Sequence, residues 1–203
     1  MGMGQCSGCK EYYNPCEITL YEYNLSQSSS YRNFRNPFFP GESYNNEIKL
    51  QFNGIIDSCE EMFYGLGNII EIDLSSFDFS QVTSMKSMFQ ECTNLISIKF
   101  GNIDTSNLNN MYWTFQSCSK LESIDLSKFD TSKVTSFYCI FNECTNIKKI
   151  DLGNIDTSSV TNFGGLFRYC EKIEFIDISN FNTSSSTDMC YLFLLTLFQK
   201  NQN

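Results

Sequence analysis

Apolar and polar positions alternate along this chain in a pattern that returns every 26 residues. Phenylalanine stands at 63, 89, 115, 141, 167 and 193, with no insertion in any interval. The same offset aligns Ile69, Leu95, Leu121, Ile147 and Ile173, then Ile72, Ile98, Ile124, Ile150 and Ile176, and Leu74, Phe100, Leu126, Leu152 and Ile178. It also aligns Val82, Leu108, Val134 and Val160, and Cys92, Cys118, Cys144 and Cys170. One unit reads M-F-x-x-C-x-x-L-x-x-I-D-L-S-x-F-D-T-S-x-V-T-x-M. Within it, L-x-x-I-D-L alternates apolar and polar and predicts a half-buried strand. The following D-T-S-x-V-T-x-M-x-x-M-F carries apolar groups three and four apart behind Asp, Thr and Ser, which predicts a short helical or 3-10 arc with its N-cap. A single unit cannot bury its apolar face, so the units are expected to stack, with strands pairing in parallel at about 4.8 Å per unit.

The expected fold class is therefore an α/β repeat solenoid, a right-handed leucine-rich-repeat-like coil with a parallel strand ladder and short helical or 3-10 arcs. Residues 46–198 are expected to hold about six units, with a degenerate first unit starting near Ile48. Residues 1–45 do not repeat and read as a Cys- and Tyr-rich N-terminal cap or anchor, and 199–203 as a polar tail. Ile48, Leu50 and Phe52 alternate with polar residues and predict a leading strand. In the last unit, Thr196 stands where the register asks for Cys. A second period of 52 lies on the first: Gly101-Asn102-Ile103-Asp104 returns as Gly153-Asn154-Ile155-Asp156, while the intervening unit carries Ser127-Lys128-Phe129-Asp130. Alternate units are thus expected to present different side chains.

The unit resembles the BspA-type leucine-rich repeat of surface proteins, on the M-F-x-x-C-x-x-L-x-x-I-D-L-S-x-F-D-T-S-x-V-T-x-M motif and over roughly residues 46 to 198. It is similar also to a repeat domain of unknown function named from mycoplasmal lipoproteins. The resemblance implies a surface protein acting in adhesion or host interaction, and it brings no catalytic residues with it.

Composition narrows the chemistry. The 203-residue chain has no histidine, which removes Ser-His-Asp triads, Cys-His pairs, His zinc sites and imidazole bases. With a net charge of −9, its surface repels phosphate backbones and anionic lipid headgroups, so nucleic acid is not an expected partner. A protein of unspecified identity is, and no enzyme activity or cofactor is expected. No run approaches the roughly 20 apolar residues that span a bilayer, and residues 1–20 lack the pattern of a signal peptide. Contact with a membrane is expected only through acylation of Gly2, Cys6 or Cys9, although Cys6 takes the place of the Ser or Thr that a myristoylation motif prefers. The resemblance places the chain at a cell surface; the sequence itself also admits a cytoplasmic scaffold or one tethered to an inner membrane face. Sequons at Asn24-Leu25-Ser26 and Asn182-Thr183-Ser184 matter only in a secretory compartment.

Four features invite sharper chemistry. The in-phase cysteines read as core, because a linear ladder does not supply tetrahedral metal geometry. Cys6-x-x-Cys9 with Cys16 lacks the second pair or the His that would complete a zinc site. Asp78, Asp104, Asp130 and Asp156, each followed closely by Ser or Thr, suit turn capping better than the six to eight converging oxygens that calcium needs. The outward strand positions supply the candidate binding face: Asp73, Lys99, Asp125, Lys149, Asp151, Phe175 and Asp177, where repeat solenoids usually meet partners.

Overall fold

The computed structural model describes residues 10–22 and 46–196. Six strands form: β1 (Lys10–Glu22), β2 (Asn46–Ile55), β3 (Ile69–Asp73), β4 (Ser97–Lys99), β5 (Ser123–Asp125) and β6 (Lys149–Asp151). The last four fall on the I-D-L segment of successive units. β3 pairs with β4 in parallel, Ile72 opposite Ile98, and β5 pairs with β6, Ile124 opposite Ile150.

The leading strand differs from a parallel rung. β1 runs antiparallel between β2 and β3, with Ile18 opposite Leu50 on one side and Leu20 opposite Ile72 on the other. The parallel ladder therefore begins at β3, and β1 satisfies the backbone edge that β3 would otherwise leave open. Hydrophobic alternation around Ile48 predicts the strand but carries no information on its neighbour.

The arc of each unit is also not the helix or 3-10 segment that the spacing suggests. Among the described residues no helix forms. Two backbones per unit sit in the left-handed region instead, four residues apart: Glu61 and Gly65, Ser87 and Glu91, Trp113 and Ser117, Cys139 and Glu143, Gly165 and Tyr169, Tyr191 and Leu195. Each such residue breaks the run of right-handed dihedrals that a helix needs. Alternate N–H groups leave the arc and donate to the next unit: Ser87 to Tyr112 O, Phe89 to Thr114 O and Glu91 to Gln116 O, all at 2.8–2.9 Å. The intervening N–H groups close turns within the unit, as Cys92 does to Phe89 O at 3.1 Å. The three- and four-residue apolar spacing thus comes from successive tight turns, whose side chains also return to one side.

The core runs through the units on these phases. Phe63, Phe89, Phe115, Phe141, Phe167 and Phe193 stack ring on ring, with centroids 5.4–6.0 Å apart and planes within 17°. Val82, Leu95, Leu108, Leu121, Val134, Ile147 and Val160 are fully buried beside them. Ile56, Cys59, Met62 and Phe63 are buried in register with the unit that follows.

Candidate functional site

The strand face is built by residues whose side chains alternate with the inward Ile of each rung, buried at Ile72, Ile124, Ile150 and Ile176 and half-buried at Ile98. Lys99, Asp125, Lys149, Phe175 and Asp177 are exposed, whereas Asp73 and Asp151 are half-buried. Its four carboxylates share one local task. Asp73 Oδ1 accepts from the Ser75 N–H at 2.9 Å and from Ser75 Oγ at 2.6 Å. Asp125 and Asp177 accept from the Ser127 and Ser179 N–H groups at 2.9 Å, and Asp151 from the Gly153 N–H at 3.2 Å. These are Asx turns at the ends of β3, β5 and β6 and at the matching position one unit after β6. The serine hydroxyls and then the serine N–H groups hold Asp73, Asp125 and Asp177 below the ordinary carboxylate range. Lys99 reaches Asp73 of the preceding unit at 3.5 Å, Lys149 reaches Asp151 at 3.5 Å, and Lys148 reaches Glu122 at 3.1 Å. Such exposed pairs hold little energy, so the cations are available for exchange to another carboxylate. Phe175, 72% exposed, stands at the same position as Lys149 one unit later and is the most open apolar side chain on this face.

The second acidic ladder caps turns as well. Asp78, Asp104, Asp130 and Asp156 each accept from the Ser N–H two residues on at 2.8–3.0 Å, and Asn182 does the same for Ser184. An amide serving in that phase shows that the role asks for an acceptor and not for a charge. The cysteine ladder is spent internally too: Cys92, Cys118, Cys144 and Cys170 Sγ lie 3.0–3.1 Å from the carbonyls of Phe63, Phe89, Phe115 and Phe141. Among the described residues no group of three or more metal-ligating side chains gathers, and no helix is long and apolar enough to cross a membrane. Gly2, Cys6 and Cys9, the candidate acylation sites, lie outside the described residues.

The arc side carries a cluster that repeat reading passes over. Tyr112 and Tyr138 stack at 4.9 Å, Trp113 packs edge-on against Tyr112 at 4.4 Å, and the Arg168 guanidinium lies 4.7 Å from the Tyr169 ring centre and 5.6 Å from that of Tyr191. These positions vary from unit to unit, so averaging the units into one motif erases them. A local count of aromatic side chains around 112, 138 and 169 is the signal that finds the cluster.

The family model described as Mycoplasma protein of unknown function, DUF285, matches residues 57–151 and a second time residues 139–203. No curated protein and no solved structure matches the chain. The two matched stretches together span residues 57–203, and the chain belongs to the DUF285 family of Mycoplasma proteins of unknown function.

Proposed function

We propose that the chain is a non-catalytic binding module, a leucine-rich-repeat-like solenoid of the BspA surface-protein kind that offers its strand face to a protein partner in adhesion. The observation that carries this reading is Phe175, 72% exposed on a face where its neighbours in register are charged or small polar side chains. An aromatic side chain open to water among charges resembles the anchor of an interface, where aromatics carry most of the binding energy and exposed ion pairs tune it. The catalytic side favours the same reading. The strand-face carboxylates are engaged in turns, and Asp73, Asp125 and Asp177 are held below the ordinary carboxylate range, a poor arrangement for general acid work.

The test places a photo-crosslinking phenylalanine analogue at position 175 of the full chain in its native cell, with the same analogue at Asp156 as the control. A protein adduct at 175 that is absent at 156, and that weakens with Lys149→Glu, is the expected result. Equal adducts at both positions, or none at 175, would overturn the assignment of this face.

A further inference from the structure

The strand ladder is not continuous. β3–β4 and β5–β6 are zipped, but β4 and β5 belong to separate sheets. Leu74 N–H donates to Lys99 O at 2.7 Å and Leu126 N–H to Asp151 O at 2.8 Å, whereas the matching bond from Phe100 to Asp125 is not formed. The 52-residue period explains the alternation. Gly101 and Gly153 adopt left-handed backbones, and a Cβ on either would lie 2.7 Å from the Cα of Ser75 or Ser127. Each glycine lets its turn press against the unit before it, and the gap opens toward the unit after it.

At the β4–β5 gap this leaves an open cleft of about 190 Å³, lined by Ile98, Lys99, Phe100, Gly101, Ile103, Asp125, Lys128 and Phe129. Phe100 and Phe129 pack edge to face at 5.0 Å and, with the half-buried Ile98 and Ile103, make its apolar wall. At roughly 30 Å³ per water the space is some six waters in size, enough for one aliphatic or phenyl group. Lys99 and Lys128 stand on the rim with Asp125, and Lys99 is held only by its exposed 3.5 Å pair with Asp73, from which it can exchange to another carboxylate. The corresponding positions two units on keep the apolar frame as Ile150, Leu152, Gly153, Ile155 and Phe181, but Asp151 and Asn180 replace the lysines. The pair of lysines therefore belongs to one gap and is not a by-product of the repeat.

We propose that this cleft is a subsite for an acidic segment of the protein partner, seating one apolar side chain against the Phe100–Phe129 wall while flanking carboxylates pair with Lys99 and Lys128. The inference rests on the protein-binding reading and specifies the chemistry of the partner.

The test titrates the ¹⁵N-labelled full chain with acetyl-Glu-Leu-Glu-amide, reading amide shifts at Gly101, Lys128 and Phe129, with Gly153 as the internal control. Saturable shifts at the first three and none at Gly153 are expected. Acetyl-Gln-Leu-Gln-amide should bind about fivefold more weakly through loss of two exposed ion pairs, and acetyl-Glu-Gly-Glu-amide about tenfold more weakly through loss of the buried side chain. Lys128→Gln should reduce the preference for Glu over Gln peptide. No saturable shift at Gly101 up to about 10 mM peptide, equal affinity for the Gln peptide, or an equal response at Gly153 would overturn the subsite. A position-175 adduct without a cleft response refutes the subsite alone, whereas a cleft response without that adduct refutes the Phe175 face.

Discussion

The thiol of Cys118 sits 3.1 Å from the carbonyl oxygen of Phe89 in the preceding unit, and the same contact recurs at Cys92, Cys144 and Cys170. In the last unit Thr196 takes this position and donates its hydroxyl to the Phe167 carbonyl. The phase holds a small side chain with a hydrogen to give, a second donor to a carbonyl that already accepts a main-chain N–H (Cys92 to Phe89 O at 3.1 Å), and one such net hydrogen bond is worth about 0.5–1.5 kcal/mol. Cys118→Ala is therefore expected to destabilise the fold by about 0.5–1.5 kcal/mol and Cys118→Thr by less. Urea midpoints of the two variants check this; an alanine variant as stable as the threonine one would remove the thiol's role as a donor.

Burial also sets the acidity of these thiols. Desolvation pushes Cys92 and Cys170 up to about 12 and Cys118 and Cys144 well above the ordinary value near 9. The folded state holds its protons where the unfolded chain has begun to release them. Each thiol's contribution is thus fully present below pH 9 and is lost as pH rises toward 12, at about 1.4 kcal/mol per pH unit. Unfolding free energies at pH 8 and pH 10 should fall less steeply for Cys92→Val than for the native chain. Native-state alkylation at pH 8 should also spare these four thiols and label the exposed Cys190, with mass spectrometry of the peptides as the readout.

Phe115 lies between two parallel rings, Phe89 and Phe141, each 5.4 Å away. Phe115→Ala removes both contacts and opens a cavity shared by three units, at an expected cost of about 3–5 kcal/mol, and Leu121→Ala about 2–5 kcal/mol. Thermal and urea unfolding measure it. An unchanged midpoint for either variant would show that the stacked column does not form in solution.

The apolar phases were legible because burial repeats with the period of the chain: every in-phase Phe from 63 to 167 is buried, as the spacing requires. The alternation of Gly101, Ser127 and Gly153 was legible as a period of 52, though its effect on the ladder needs backbone geometry. Two elements were hidden. The left-handed arc positions hold Trp113, Cys139 and Tyr191 as readily as Gly165, so no glycine marks the turns, and apolar spacing alone mimics a helix. β1 pairs antiparallel with β3 across a long stretch of chain, a non-local contact that periodicity within one strand cannot report. The outward positions of the candidate face followed from strand alternation, but the turn-capping work of Asp73, Asp125, Asp151 and Asp177 depends on Oδ1 reaching an N–H two residues away.

Gly65 and Gly101 separate conformational strain from contact. Both are left-handed, at φ +70° and +64°. A Cβ on Gly65 meets nothing within 4 Å, and the positions in phase with it hold Glu91, Ser117, Glu143, Tyr169 and Leu195 in the same conformation. Gly65→Ala should then cost only the left-handed backbone penalty, about 1–2 kcal/mol. A Cβ on Gly101 lies 2.7 Å from Ser75 Cα and 2.8 Å from Ser75 O, backbone atoms that move only if the units part. Gly101→Ala adds this clash to the same penalty, and the Leu74–Lys99 bond beside it is expected to lengthen. It should lose about 3 kcal/mol or more. Hydrogen exchange at the Leu74 amide gives a local reading that global unfolding does not. Faster exchange there in Gly101→Ala, with Gly65→Ala unchanged at that amide, is the expected pattern. Equal behaviour of the two variants would mean that the glycine does not set the alternation of closed and open gaps, and the β4–β5 cleft would need another origin.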